Sequence, residues 1–297
     1  MRYAAIDIGS NAVRLLIADI KENDGTVSFK KNTLVRVPLR LGDDAFLNHE
    51  ISEKKTTDLI KTMQAFKNLM DVYKVSECMA CATSAMREAR NGAEVVKRIK
   101  DEAGITLQIV QGQIEAKIIY ASHAEQNIDK NKNYLYIDVG GGSTELSLFA
   151  SGELVASKSF NIGTIRILDN QDTEESWSAM REFIREHTRH FKGISGIGTG
   201  GNINKLYRLS EEKNGSPMSL GKLKSLYDYL DSFSLKDRIN VLGLNQDRAD
   251  VIIPACEIYL AVMKWAGIKN IYVPTVGMVD GIIQTLIDEK FMKTTLK

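Results

Sequence analysis

Two stretches of the chain share one arrangement of apolar and polar positions. YAAIDIGSNAVRLLIA, starting at Tyr3, and YLYIDVGGGSTELSLF, starting at Tyr134, each read as an apolar strand ending in Asp, then an apolar residue and Gly, then small residues and a second strand. Around these hairpins the period changes to that of helices. From Ser52, the apolar positions Leu59, Met63, Phe66, Met70 and Tyr73 step by four and three. Val95, Val96 and Ile99 form a shorter stripe that ends at Gly104 before the strand ITLQIV, with the glycine suited to the residue after a helix. IEAKIIYASHAEQN is expected to be a helix leading out of the first half. Later, Trp177, Met180, Ile184, His187 and Phe191 line one helical face, and Leu220, Leu223, Tyr227 and Leu230 another. A helix is expected from about Asp247 to Ala266, kinked or restarted at Pro254. KNIYVP is expected as a strand, with a final helix from Met278. Strands followed by helices in both halves indicate an α/β protein.

The turns inside the two hairpins carry chemistry. Asp7-Ile8-Gly9-Ser10-Asn11 is matched by Asp138-Val139-Gly140-Gly141-Gly142-Ser143. A glycine turn lets backbone N–H groups converge on an anion, because no Cβ blocks the approach. A carboxylate at the strand end is compatible with bound phosphate only when a cation lies between them, so the pairing suggests a Mg²⁺-dependent phosphate site. One such turn is an ordinary hairpin feature; two with the same flanks suggest duplication. The duplication resembles that of the actin-like superfold, and implies two ribonuclease-H-like domains (actin-like ATPase superfold) facing each other across a cleft. The expected division is 1–123 and 124–297, with the last helix able to pack back on the first domain.

Composition narrows the class without choosing a reaction. The 297 residues are long for one core and comfortable for two. A formal net charge of +1 argues against a nucleic-acid or membrane-surface binder. No apolar run reaches the length of a bilayer span, and a cytoplasmic location is the expectation. Cys78 and Cys81 form a C-x-x-C, but residues three apart on a strand point to opposite faces. All three cysteines, Cys256 included, are therefore expected as reduced core thiols. His187 falls on an apolar stripe, so with His190 it is expected as a core or surface histidine and not a metal ligand.

Other positions admit two readings. In ATSAMREARN, Thr83, Ser84 and Arg87 fit either a capped helix with a solvated arginine or a turn that holds phosphate oxygens. Glu115, in the first turn of a helix, is either a helix-dipole partner or a general base for phosphoryl transfer to water. GIGTGGN, ending at Asn202, is a tight strand-to-helix turn or a site for a nucleotide's phosphate or sugar.

Taken in order, AAIDIGSNAVRLLIA, ATSAMREARN, IVQGQIEAKIIY, DVGGGSTEL, NIGTIRI with Gly163 and Arg166, GIGTGGNINKL, RADVIIPACEIY and VGMVDGII resemble the exopolyphosphatase/guanosine-pentaphosphate phosphohydrolase family, in its short two-domain form. The resemblance implies Mg²⁺-dependent hydrolysis of the terminal phosphoanhydride of inorganic polyphosphate or of guanosine pentaphosphate, by direct attack of water. It implies Glu115 as general base, Asp138 and Glu145 as catalytic acidic residues that also hold the metal, and Asp7, Ser10, Asn11, Arg87, Gly140, Gly141, Gly142 and Ser143 as phosphate-binding positions. It also suggests a homodimer. The departures lie in the C-terminal half. The family's Gly-Gly-Thr-Ile-Arg is Gly200-Gly201-Asn202-Ile203-Asn204 here, the glycine after Pro254 is Ala255, and Leu-Arg-Glu-Gly is Met278-Val279-Asp280-Gly281. Two further classes stay open: an actin-like ATPase or kinase, and a non-catalytic sensor of guanosine tetra- or pentaphosphate.

Overall fold

The computed structural model describes residues 1–23, 26–120, 129, 131–213 and 215–292. It divides into two compact units, residues 1–123 with 276–297, and residues 124–275.

In the first unit, β1 (Arg2–Ile8), β2 (Val13–Asn23), β3 (Thr26–Val37), β4 (Glu77–Ala82) and β5 (Leu107–Ile109) form one sheet in the order β3-β2-β1-β4-β5. β1 runs antiparallel to β2 and parallel to β4. Tyr3 to Ile8 are all buried, as a central strand covered on both faces requires. β3 alternates exposed and half-buried positions, the pattern of an edge strand. Chain order continues with α1 (Leu41–Leu47), α2 (Glu53–Val72), α3 (Ser84–Glu88), α4 (Gly92–Ala103) and α5 (Gly112–Tyr120) between the strands, and α13 (Met278–Met292) closes the unit. Ser52 caps α2 by accepting from the Lys55 N–H, worth about 1 kcal/mol. Gly104 ends α4 at φ 68°. α5 and α13 cover one face of the sheet, where Ile118, Ile119, Ile282, Ile283 and Leu286 pack on Tyr3, Ala5, Leu16 and Ala18. The expected helix through IEAKIIYASHAEQN is seen as α5; its remainder lies outside the described residues.

The second unit repeats the topology. β6 (Asn133–Val139), β7 (Thr144–Ala150), β8 (Glu153–Phe160), β9 (Ser195–Thr199), β10 (Met218–Ser219) and β11 (Asn270–Tyr272) are ordered β10-β11-β9-β6-β7-β8. β6 is antiparallel to β7 and parallel to β9, as β1 is to β2 and β4. Its helices are α6 (Thr164–Leu168), α7 (Glu174–Thr188), α8 (Gly200–Leu209), α9 (Leu220–Asp231), α10 (Leu235–Asn240), α11 (Gln246–Ala249) and α12 (Ile252–Trp265). The shared strand order, three antiparallel strands followed by two parallel ones, with an antiparallel β10 added at the edge of the second sheet, makes the protein a duplicated ribonuclease-H-like α/β fold.

Of the two outcomes expected between Asp247 and Ala266, the structure shows the restart: α11 stops at Ala249 and α12 starts at Ile252, which places Pro254 in a first turn, where its missing N–H costs nothing. One expectation needs correction. Cys78 is exposed, whereas Cys81 and Cys256 are buried, because the outer face of β4 is incompletely covered at its start. Burial pushes the Cys81 and Cys256 thiols up to about 12. His187 is half-buried, with Nδ1 at 2.9 Å from the Phe183 carbonyl and the ring against Phe183, and His190 is exposed beside Arg189.

Candidate active site

The β1–β2 turn is closed by the Gly9 N–H donating to Ala12 O at 3.1 Å, and the β6–β7 turn by Gly140 N–H donating to Ser143 O at 2.9 Å. Behind each loop, a short helix after the third strand of the sheet ties the loop carbonyls down. In the first unit the N–H groups of Arg40 and Gly42, at the start of α1, donate to Asn11 O (3.0 Å) and Ser10 O (2.8 Å). In the second, the N–H groups of Thr164 and Ile165 donate to Gly140 O (3.0 Å) and Gly141 O (2.9 Å), and Arg166 Nε donates to Gly142 O at 2.6 Å. A trans peptide places each N–H opposite the preceding carbonyl. The N–H groups of Asn11 and Ala12 therefore point away from α1, and those of Gly141, Gly142 and Ser143 away from α6. Successive N–H groups directed to one side form an anion nest. Gly163 is essential to the second tether, since a Cβ there would lie 2.4 Å from Gly141 O.

The first unit gathers more of the expected residues around its loop. Ser10 Oγ is 2.8 Å from Ser84 Oγ, and both serines are buried. Ser84 opens α3, and Thr83 makes no side-chain cap, so the capped-helix reading of this turn does not hold. Arg87 is not solvated either: its Nη1 donates to Val110 O at 2.8 Å and lies 3.9 Å from Glu115 Oε2. Both side chains are less than a fifth exposed. Val110 precedes α5, so one carbonyl aligns the arginine beside the helix that carries the glutamate. Asp7 is buried and paired with Arg14 Nη1 at 2.7 Å. Burial raises its carboxyl above the ordinary range, and the Arg14 guanidinium pulls against that.

The second unit places different chemistry at the corresponding positions. Asp138 lies directly opposite Glu145 in the β6–β7 ladder, as Asp7 lies opposite Arg14 in β1–β2. Opposed residues of an antiparallel pair share a face, so two carboxylates stand side by side where the first hairpin has an ion pair. Thr199 Oγ1 donates to Asp138 Oδ2 at 3.0 Å, and Ser159 donates to Glu145 Oε1 at 2.8 Å. Gly200, at φ 87°, lets β9 turn into α8 against the Asp138 carboxylate; a Cβ there would lie 2.7 Å from Oδ1. Two adjacent hard carboxylates suit a Mg²⁺ ion, which takes one or two of them and completes its octahedron with water and phosphate oxygens. No larger cluster of metal-ligating side chains occurs among the described residues.

Sequence reasoning named the loop residues, Arg87, Glu115 and the acidic pair, but missed Arg14, Arg40, Thr199 and Ser159. Arg14 had a signal: it follows Asp7 at the spacing by which Glu145 follows Asp138.

A duplicated ribonuclease-H-like fold with two tethered glycine loops, an arginine–glutamate pair and an opposed acidic pair fits a phosphoanhydride hydrolase. The chain belongs to the Ppx/GppA phosphatase family, whose model matches residues 17–290. Exopolyphosphatase 1 of Mycobacterium tuberculosis is 23% identical over 317 aligned positions, covering 100% of this chain and 91% of that protein. A bifunctional 3-dehydroquinate synthase/phosphatase of Fusobacterium nucleatum is 27% identical over 97% of this chain, which spans only 47% of that longer protein. Among solved structures, a Ppx/GppA family member from Aquifex aeolicus superposes with a TM-score of 0.75 at 25% identity, covering 98% of each chain. An exopolyphosphatase from Cytophaga hutchinsonii shares the fold with a TM-score of 0.84 at 24% identity, covering 97% of this chain and 98% of that one. No helix among the described residues is long and apolar enough to cross a membrane.

Proposed function

We propose that this protein hydrolyses the terminal phosphoanhydride of inorganic polyphosphate and releases orthophosphate, with Mg²⁺ as cofactor. The observation that carries this reading is the Arg87–Glu115 pair at 3.9 Å, in the unit whose tethered loop directs N–H groups away from α1. Relatives called exopolyphosphatase, aligned over about nine-tenths of their own length, support polyphosphate as the substrate.

Phosphoryl transfer to water passes through a loose transition state, so catalysis rests on positioning and on neutralising charge. Glu115 orients the attacking water and takes its proton. Arg87, aligned by the Val110 carbonyl, offers guanidinium N–H groups to the phosphoryl oxygens. Each loop by itself can hold phosphate oxygens through its N–H groups in the manner of an oxyanion hole, with Ser10 and Asn11 in the first unit and Ser143 in the second. Asp138 and Glu145 would hold a Mg²⁺ ion, which would supply positive charge to phosphate oxygens.

The test is phosphate release in Mg²⁺ from long polyphosphate, triphosphate, guanosine pentaphosphate and ATP. Long polyphosphate is expected to turn over fastest. Preference for guanosine pentaphosphate would reassign the substrate. ATP turnover that requires a phosphoryl acceptor, or tight binding of guanosine tetraphosphate without phosphate release from any anhydride, would overturn the reading.

A further inference from the structure

The end of β6 is held differently from the end of β1, and the difference falls on Asn202. In the first unit the carbonyl of Ile8, the residue after Asp7, accepts the backbone N–H of Thr83 at 3.1 Å, which continues the parallel pairing with β4. In the second unit that pairing stops one residue earlier, at Asp138 and Thr199, because Gly200 turns the chain into α8. Val139 O is thereby denied a backbone donor from β9. The Asn202 side chain replaces it: Nδ2 donates to Val139 O at 2.8 Å, and Oδ1 accepts from Arg248 Nη1 at 2.7 Å. Asn202 is buried, and Ile203 beside it is fully enclosed in the core of the unit.

We propose that Asn202 is a positioning residue that fixes the end of β6, and with it the Asp138 carboxylate. The side-chain amide does the work of a backbone N–H, and the Arg248 guanidinium holds that amide in the required rotamer. Two restraints then bracket Asp138. Thr199 Oγ1 fixes its carboxylate, and Asn202 fixes the carbonyl of Val139, the residue that follows it. A threonine, which stands here in the sequence pattern that the chain resembles, has a shorter side chain and lacks the separate N–H donor and carbonyl acceptor that Asn202 uses toward its two partners. The proposal rests on Asp138 serving as a metal ligand, where outer partners of a ligand typically govern about 10–100-fold in metal affinity or activity.

The test is Mn²⁺ binding to the full chain, followed by electron paramagnetic resonance of the free ion, with kcat and KM for phosphate release and thermal unfolding measured alongside. Asn202→Leu preserves much of the volume and removes both polar contacts; Asn202→Ala is the second variant if the first does not fold. The expected result is about a tenfold loss of Mn²⁺ affinity and a similar fall in kcat, with KM within about threefold. A lowered melting temperature with wild-type Mn²⁺ affinity and kcat would overturn the proposal and leave Asn202 a structural residue. Wild-type protein that neither binds Mn²⁺ nor releases phosphate would overturn the functional reading as well as this proposal. Phosphate release by wild type with unchanged variants would overturn this proposal alone.

Discussion

The hairpins β1–β2 and β6–β7 share a backbone and differ in charge. Each closes a glycine turn with one N–H···O bond, and each has its loop carbonyls tied to the first turn of a short helix that follows the third strand of its sheet. Each has an aspartate at the penultimate position of its first strand. Opposite that aspartate stands Arg14 in one hairpin and Glu145 in the other. A buried aspartate beside arginine is neutralised within the protein, whereas aspartate beside glutamate sets two like charges together, which a shared proton or a bound cation relieves. The duplicated backbone thus presents converging N–H groups twice, while in the proposed function the opposed residue decides which copy suits a metal. Arg87 and Glu115 are in the unit that carries its own cation.

That contrast can be tested from its largest consequence to its smallest. Glu115→Gln is expected to lower phosphate release by about 10³-fold, within the range of a lost general base, while Mn²⁺ binding persists. Near wild-type turnover would remove Glu115 from the mechanism. Glu145→Arg gives the second hairpin the charge pattern of the first. Metal affinity should fall by about 100-fold or more, and activity should then respond little to chelator, measurable by titrating Mg²⁺ against phosphate release. Arg14→Met leaves Asp7 buried without its ion pair, and urea unfolding should show a loss of about 2–3 kcal/mol. Asp7→Asn combined with Arg14→Met should recover part of that loss, because the uncompensated charge is gone; a double variant no more stable than Arg14→Met would mean the pair contributes through packing alone. Gly163→Ala presses a Cβ onto the Gly141 carbonyl. It is expected to cost about 1–2 kcal/mol and to raise KM for phosphate substrates, read in the same unfolding and kinetic assays.

Much of the fold was legible where it follows from local pattern. The apolar run of β1, the stripe of α2 and the glycine after α4 each depend on neighbouring residues, and each appears at its expected place. The third strands were not recognised. β3 and β8 are edge strands, rich in polar residues, and their alternation was not read as strand. Cys78 was misjudged because alternation along β4 says that two residues face opposite ways, without saying whether both faces are covered. Pro254 was recognised as an interruption, but its position in a first turn depended on α11 ending several residues before it.

The sequence by itself determined the two glycine turns, their strand-end aspartates and the residue types available for phosphate and metal, because spacing along a chain dictates which groups a tight turn presents. Only the tertiary structure decided how those groups are held. The carbonyls of Gly140 to Gly142 meet α6 after an intervening pair of strands, Arg87 meets Val110 and Glu115 from another strand and helix, and Asn202 reaches Val139 across the β6–β9 pair. Such contacts join residues far apart in the chain. Their geometry is set by strand register and helix packing, which no local spacing encodes.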